Sequence, residues 1–210
     1  MIEKYLSVAG ECVTEKVIEK SKFITATRHV ENEEEARAFI AEITRRHSDA
    51  THNCYAYIPD LSGNAPRFSD DGEPQGTAGI PMLEVLKGRS LVQVATVVTR
   101  YFGGVKLGAG GLVRAYSGCV AENLDCAALV SYEICCNTCV TVNYTAVDTA
   151  LRFFAEIGAD VVETQYLNDV KFIVAVRKSQ VENFIAALVN RLNGKVIIER
   201  QKEYYFPFKV

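Results

Sequence analysis

The sequence has no apolar run approaching the roughly 20 residues with which a helix crosses a bilayer. Its longest, over 91–99, is broken by Gln93 and Thr96 and has the length of a strand. The opening Met1-Ile2-Glu3-Lys4 is not followed by the basic-then-apolar pattern of a secretory leader. A disulfide framework is also missing. The seven cysteines are odd in number and scattered, which fits a reducing compartment. A cytoplasmic location without a membrane partner is therefore expected. With a net charge of −3, the chain lacks the global positive excess that marks many nucleic-acid binders.

Several chemical signatures are absent as well. The glycine-rich segment described below fits neither the Walker A nor the dinucleotide spacing, so neither ATP nor NAD is inferred and no cofactor is expected. Cys136-Asn137-Thr138-Cys139 has Cys-x-x-Cys spacing but no second pair to complete a zinc site, and it falls in a strand pattern. Asp70, Asp71 and Glu73 can offer oxygens to a cation but lack calcium-loop spacing, so no metal is expected.

What is present is an ordinary globular balance, 49% apolar and 23% charged. The second half has the clearest periodicity. Alternation marks strands over 134–144, 161–166 and 170–176, and another begins at Val196. Between them, helical stripes run through Val147, Leu151, Phe154 and Ile157, and through Val181, Phe184, Leu188 and Leu192. Ser179 is placed as the cap of the second helix. The order β-α-β-β-α-β is ferredoxin-like. The first half reads as a hairpin over 11–18 and 22–30, then a helix capped by Asn32 with Glu33, Glu34 and Glu35 in its first turn. A strand follows over 52–58, then a long loop over 59–79, a short helix over 80–86, a strand over 91–101 and a helix over 112–124. A boundary near residue 130 predicts two α+β domains, 1–130 and 131–210.

Between Glu84 and Glu122 there is no acidic residue, yet the stretch holds Lys87, Arg89, Arg100, Lys106 and Arg114. Within it, Gly103, Gly104, Gly108, Gly110 and Gly111 fall between a strand and a helix. Glycine permits positive φ and close approach, and a helix N-terminus offers free N–H groups with partial positive charge. Together they make an anion site, and the binding reading expects the five cations to share an exposed surface near it. The bland alternative is a tight strand-to-helix turn with a solvated basic face. A second candidate is His52 with Cys54, two apart on a strand and so on one face. That is the shape of a thiolate–imidazole pair, though a buried cysteine beside a hydrogen-bonded histidine is the commoner arrangement. The third is the loop carrying Asp70, Asp71 and Glu73, a functional loop or an Asp-Gly turn with solvated carboxylates. The aromatic tail, Tyr204-Tyr205-Phe206-Pro207-Phe208, can stack bases but more often packs on a domain edge.

Four segments together resemble the YigZ/Impact family: Lys20-Ser21-Lys22-Phe23-Ile24, the run from His52 to Tyr57, the run from Ser69 to Gly79, and Val98 through Arg100-Tyr101-Phe102-Gly103-Gly104 to Gly108. The resemblance implies a first domain like the second domain of ribosomal protein S-five, as in domain IV of elongation factor G. It implies a second domain like domain V of that factor. Those folds contact RNA, so the resemblance implies a binding or regulatory role in translation, with RNA, the ribosome or translation factors as partners. No catalytic reaction transfers with it. An enzyme acting on a small phosphorylated or anionic substrate, and a protein-interaction module, stand as alternatives. The oligomeric state is not legible in the sequence.

Overall fold

Strand alternation and the helical stripe organise the chain as a computed structural model describes it over residues 2–210. The first unit comprises residues 2–131 and 207–210, and the second Tyr132–Phe206.

In the first unit the elements run β1 (Lys4–Val8), β2 (Glu11–Ile18), β3 (Ser21–His29), α1 (Glu33–Arg46), β4 (His52–Ile58), β5 (Arg67–Ser69), α2 (Gly79–Gly88), β6 (Val94–Tyr101) and α3 (Gly108–Cys126). Five strands form an antiparallel sheet in the order β2-β3-β6-β4-β5. Residues alternate between its faces. Phe23, Cys54, Ala56, Val94 and Val98 join the core that includes Leu83 and Leu86 of α2 and Leu112, Tyr116 and Val120 of α3. Ala26, Tyr57, Ala95 and Val97, from the other face, pack with Phe39 and Ile43 of α1. Asn32 caps α1 as expected, its side chain accepting from the Glu35 N–H. Two short elements, β1 and β5, were not expected. Helix α3 begins four residues earlier than predicted because the glycines that weigh against helix propensity are inside its first turn.

The second unit follows the predicted order: β7 (Leu129–Val142), α4 (Val147–Glu156), β8 (Asp160–Tyr166), β9 (Val170–Arg177), α5 (Val181–Arg191) and β10 (Ile197–Lys209). The strands lie in the order β10-β7-β9-β8, the ferredoxin-like arrangement, in a chain of α+β architecture. Phe153, Phe154, Phe172, Phe184 and Leu188 fill its core. Ser179 does not cap α5, because a 3-10 turn over Lys178–Gln180 precedes the helix. The aromatic tail is the end of β10, with the Tyr204 hydroxyl donating to Asn137. Cys136 and Cys139 are both buried in β7. No helix among the described residues is long and apolar enough to cross a membrane.

Candidate functional site

The antiparallel register sets His52 of β4 directly opposite Arg100 of β6, and Arg100 opposite Phe23 of β3. Arg100 is therefore in the middle of the sheet and points into the first unit, only 4% exposed. Its guanidinium donates to Glu73 Oε1 at 2.6 Å and to Ser21 Oγ at 3.2 Å, and lies 5.5 Å and 5.4 Å from the Phe23 and Phe102 ring centres. The Tyr116 hydroxyl of α3 donates to the same Glu73 oxygen at 2.8 Å. His52 Nδ1–H donates to the Asp71 carbonyl at 2.7 Å, which leaves Nε2 3.9 Å from Glu73 Oε2. The Cys54 thiol donates to the Asp70 carbonyl at 2.9 Å and lies 3.4 Å from the Tyr116 oxygen. Two of the three predicted groups, His52 with Cys54 and the acidic loop, thus meet around one carboxylate, together with Arg100.

Most of this cluster is satisfied from within, although Arg100 Nε is buried without a hydrogen-bond partner. Burial pushes the Cys54 thiol up to about 12, so it stays protonated at neutral pH and is not a ready nucleophile. The three acidic side chains are drawn apart by different partners. Asp70 accepts from the N–H groups of Gly76, Ala78 and Gly79 at 2.8, 3.0 and 2.8 Å, which closes the loop and fills the N-terminus of α2. Burial alone would raise the Asp70 carboxyl, yet these three donors hold it below its usual value. Asp71 accepts from the Asn53 N–H, while Glu73 serves Arg100 and Tyr116. The sequence reading missed Ser21 and Tyr116. Ser21 stood inside a segment that carried the family resemblance, whereas nothing marked Tyr116 out from a core aromatic.

The glycine segment divides in two. Gly103 belongs to the cluster: its N–H donates to Ser21 Oγ at 3.2 Å, and a Cβ there would lie 1.9 Å from the Lys20 carbonyl oxygen. Close approach, not φ, demands glycine at this position. Gly104, at φ +85° in open space, demands it for conformation instead. Beyond it the chain turns into α3, whose first turn holds Gly108, Gly110 and Gly111 and has no side-chain cap. Lys106 and Arg114 are exposed beside this N-terminus and line a groove of about 460 Å³ with Ile18, Glu19, Val105 and Leu107. Neither makes an ion pair among the described residues.

The expectation that five cations share one free surface is corrected here. Arg100 is turned inward onto Glu73. Lys87 lies 3.4 Å from Glu84, and Arg89 pairs with Asp125 at 2.6 Å while donating to the Ala121 carbonyl. Glu84, at the edge of the acid-free stretch, is only three residues from Lys87 on α2, whereas Asp125 and Glu73 reach Arg89 and Arg100 through the fold. Lys106 and Arg114 are the two of the five that remain together and unpaired.

Similarity to known proteins follows the same division. Residues 19–124 match the model of the Impact N-terminal domain, and residues 140–195 match a domain of unknown function, DUF1949. IMPACT family member YvyE of Bacillus subtilis is 39% identical over 205 residues, spanning 98% of this chain and 94% of that protein. IMPACT family member YigZ of Escherichia coli is 32% identical over 203 residues, spanning 93% and 97%. A solved crystal structure of a hypothetical protein is 31% identical, with a TM-score of 0.63 over 96% of this chain and 99% of that one. The Dictyostelium discoideum IMPACT homolog matches 47% of this chain, at 36% identity, and 28% of its own length. With both domains matched in order and identity sustained over almost the full length, this chain belongs to the IMPACT family.

Proposed function

We propose that this chain is a binding protein acting in translation regulation, and that RNA, free or in the ribosome, is held at the N-terminal face of α3. One observation carries the reading: the first turn of α3 is uncapped and flanked by Lys106 and Arg114 without ion partners. Free helix amides together with an ammonium and a guanidinium group favour a phosphate there. The other helix on the same side of the sheet makes the contrast. The N-terminus of α2 is already filled by the Asp70 carboxylate, so its amides are satisfied from within the chain. The family resemblance supports the same partner class.

The test is filter binding of a structured RNA at about 50 mM and about 200 mM salt, since phosphate contacts release counterions. Wild-type protein is expected to bind at the lower salt and weaken at the higher. The Lys106→Glu/Arg114→Glu double variant, both positions being exposed, is expected to lose at least about tenfold in affinity while melting as wild type. Absence of binding by wild type at low salt overturns the proposal. The approach of His52 to Glu73 favours a second reading, catalysis on a small anionic substrate. Against it, Glu73 is committed to Arg100 and Tyr116, and the thiol of Cys54 is protonated.

A further inference from the structure

The face of the first sheet opposite α2 and α3 carries a groove of about 710 Å³ that the reading above does not use. On this face α1 packs over β6 and β4, and toward β5 the surface stays open. Asn53, Tyr55 and Tyr57 alternate onto this side of β4. The Tyr55 and Tyr57 rings stack, with centres 6.0 Å apart and planes 22° apart. Tyr57 is buried and its hydroxyl donates to Glu33, so it backs Tyr55, which is half-buried and lines the groove. Phe68 of β5 borders the groove, but its register opposite Ala56 turns its ring to the other face, against Gly79, so Tyr55 is the accessible ring here.

Three exposed arginines complete the lining: Arg37 and Arg45 from α1, and Arg67 from β5. Among the described residues, no acidic side chain lines the groove. Arg37 pairs with Glu33, whereas neither Arg45 nor Arg67 makes an ion pair among the described residues. The combination is selective. Guanidinium groups take phosphate oxygens in a planar fork, and an aromatic platform takes the face of a base. An acidic peptide would satisfy the arginines but not the rings. A duplex would reach the arginines, yet its bases stack on each other and cannot reach Tyr55.

We infer that this groove binds single-stranded RNA, with a base stacked at Tyr55 and the flanking phosphates on Arg45 and Arg67. The inference rests on the proposal above only for RNA as the partner class, because the two sites lie on opposite faces of the sheet. The chain contains no tryptophan, so Tyr55→Trp supplies a single indole fluorophore inside the groove. A single-stranded oligonucleotide of about ten residues is expected to quench that emission. An RNA hairpin duplex, free AMP and a polyglutamate peptide are each expected to quench it at least about tenfold less well at equal concentration. Independently of that variant, fluorescence anisotropy of the labelled oligonucleotide on otherwise wild-type protein should show Arg45→Glu/Arg67→Glu binding about tenfold more weakly.

The outcomes separate the two sites. Quenching that survives Lys106→Glu/Arg114→Glu supports the groove, even if hairpin binding is lost. RNA that binds Tyr55→Trp without quenching its indole, and binds Arg45→Glu/Arg67→Glu without loss, overturns the groove and leaves the α3 site standing. Equal quenching by AMP, or equal competition by polyglutamate, also overturns it, in favour of a mononucleotide or an acidic peptide.

Discussion

Glu73 is 8% exposed, and its carboxylate takes hydrogen bonds from a guanidinium and a phenol inside the first unit. A charge so enclosed is tolerable only while its partners stay in place, because the penalty for desolvating an ion is several kcal/mol. Arg100 supplies the neutralising charge and is itself fixed by Ser21 and two aromatic rings. Arg100→Met is therefore expected to cost about 3–5 kcal/mol, since it leaves Glu73 charged and unpaired. In the Glu73→Leu/Arg100→Met double variant the orphaned charge is gone, and the loss should be smaller than the sum of the two single losses. Urea unfolding of the four proteins measures this. Strictly additive losses would show that the two groups do not depend on each other.

The loop over residues 59–78 is ordered at its end by one side chain. Asp70 gathers three N–H groups, two of them at the start of α2, and so performs the capping that Ala78, the residue at the cap position, cannot. Its carboxyl is held below the ordinary value near 3.8. A carboxylate with a depressed folded value contributes stability above its unfolded value and loses that contribution as pH falls through the folded one. Wild type is thus expected to lose stability below about pH 4, and Asp70→Asn to lack that part of the acid dependence while being about 1–2 kcal/mol less stable at neutral pH. Denaturant midpoints at pH 3 to 7 would show it; parallel curves for the two proteins would mean that Asp70 is not the titrating group. The same element shows what periodicity can and cannot reveal. Alternation and stripes marked every strand and helix of the second unit, because each buries one face. They marked β4 and β6 but could not show that the two are neighbours. The meeting of His52, Glu73 and Arg100 therefore came only with the fold. β5 has three residues, too few for alternation to be visible, and with it the groove beside Tyr55 was out of reach. The free cation surface was overestimated because Glu84 lies within one helical turn of Lys87, and because Asp125 and Glu73 come to Arg89 and Arg100 in space.

For the molecule as a whole, the two proposed contact surfaces are cationic while the chain has a net charge of −3. On the proposed reading, a polyanion would be held by a few local groups against an unfavourable overall field. Lys106 and Arg114 alone imply a slope of log affinity against log salt of about −1.4 for a single strand, and adding Arg37, Arg45 and Arg67 brings it to about −3.5. At about 0.1 M salt the screening length is about 10 Å, so only the local cations act on the ligand. Near 0.01 M it reaches about 30 Å, so more distant carboxylates act on the ligand and the net negative charge begins to oppose binding. The affinity of a single-stranded oligonucleotide should therefore rise with a slope between those two values as salt falls from about 0.2 M, then flatten near 0.01 M. An anisotropy titration across that range reads both features. A slope near −7, continuing without flattening, would require about ten phosphate contacts. That is more cations than the two surfaces contain, and it would place the RNA elsewhere on the protein.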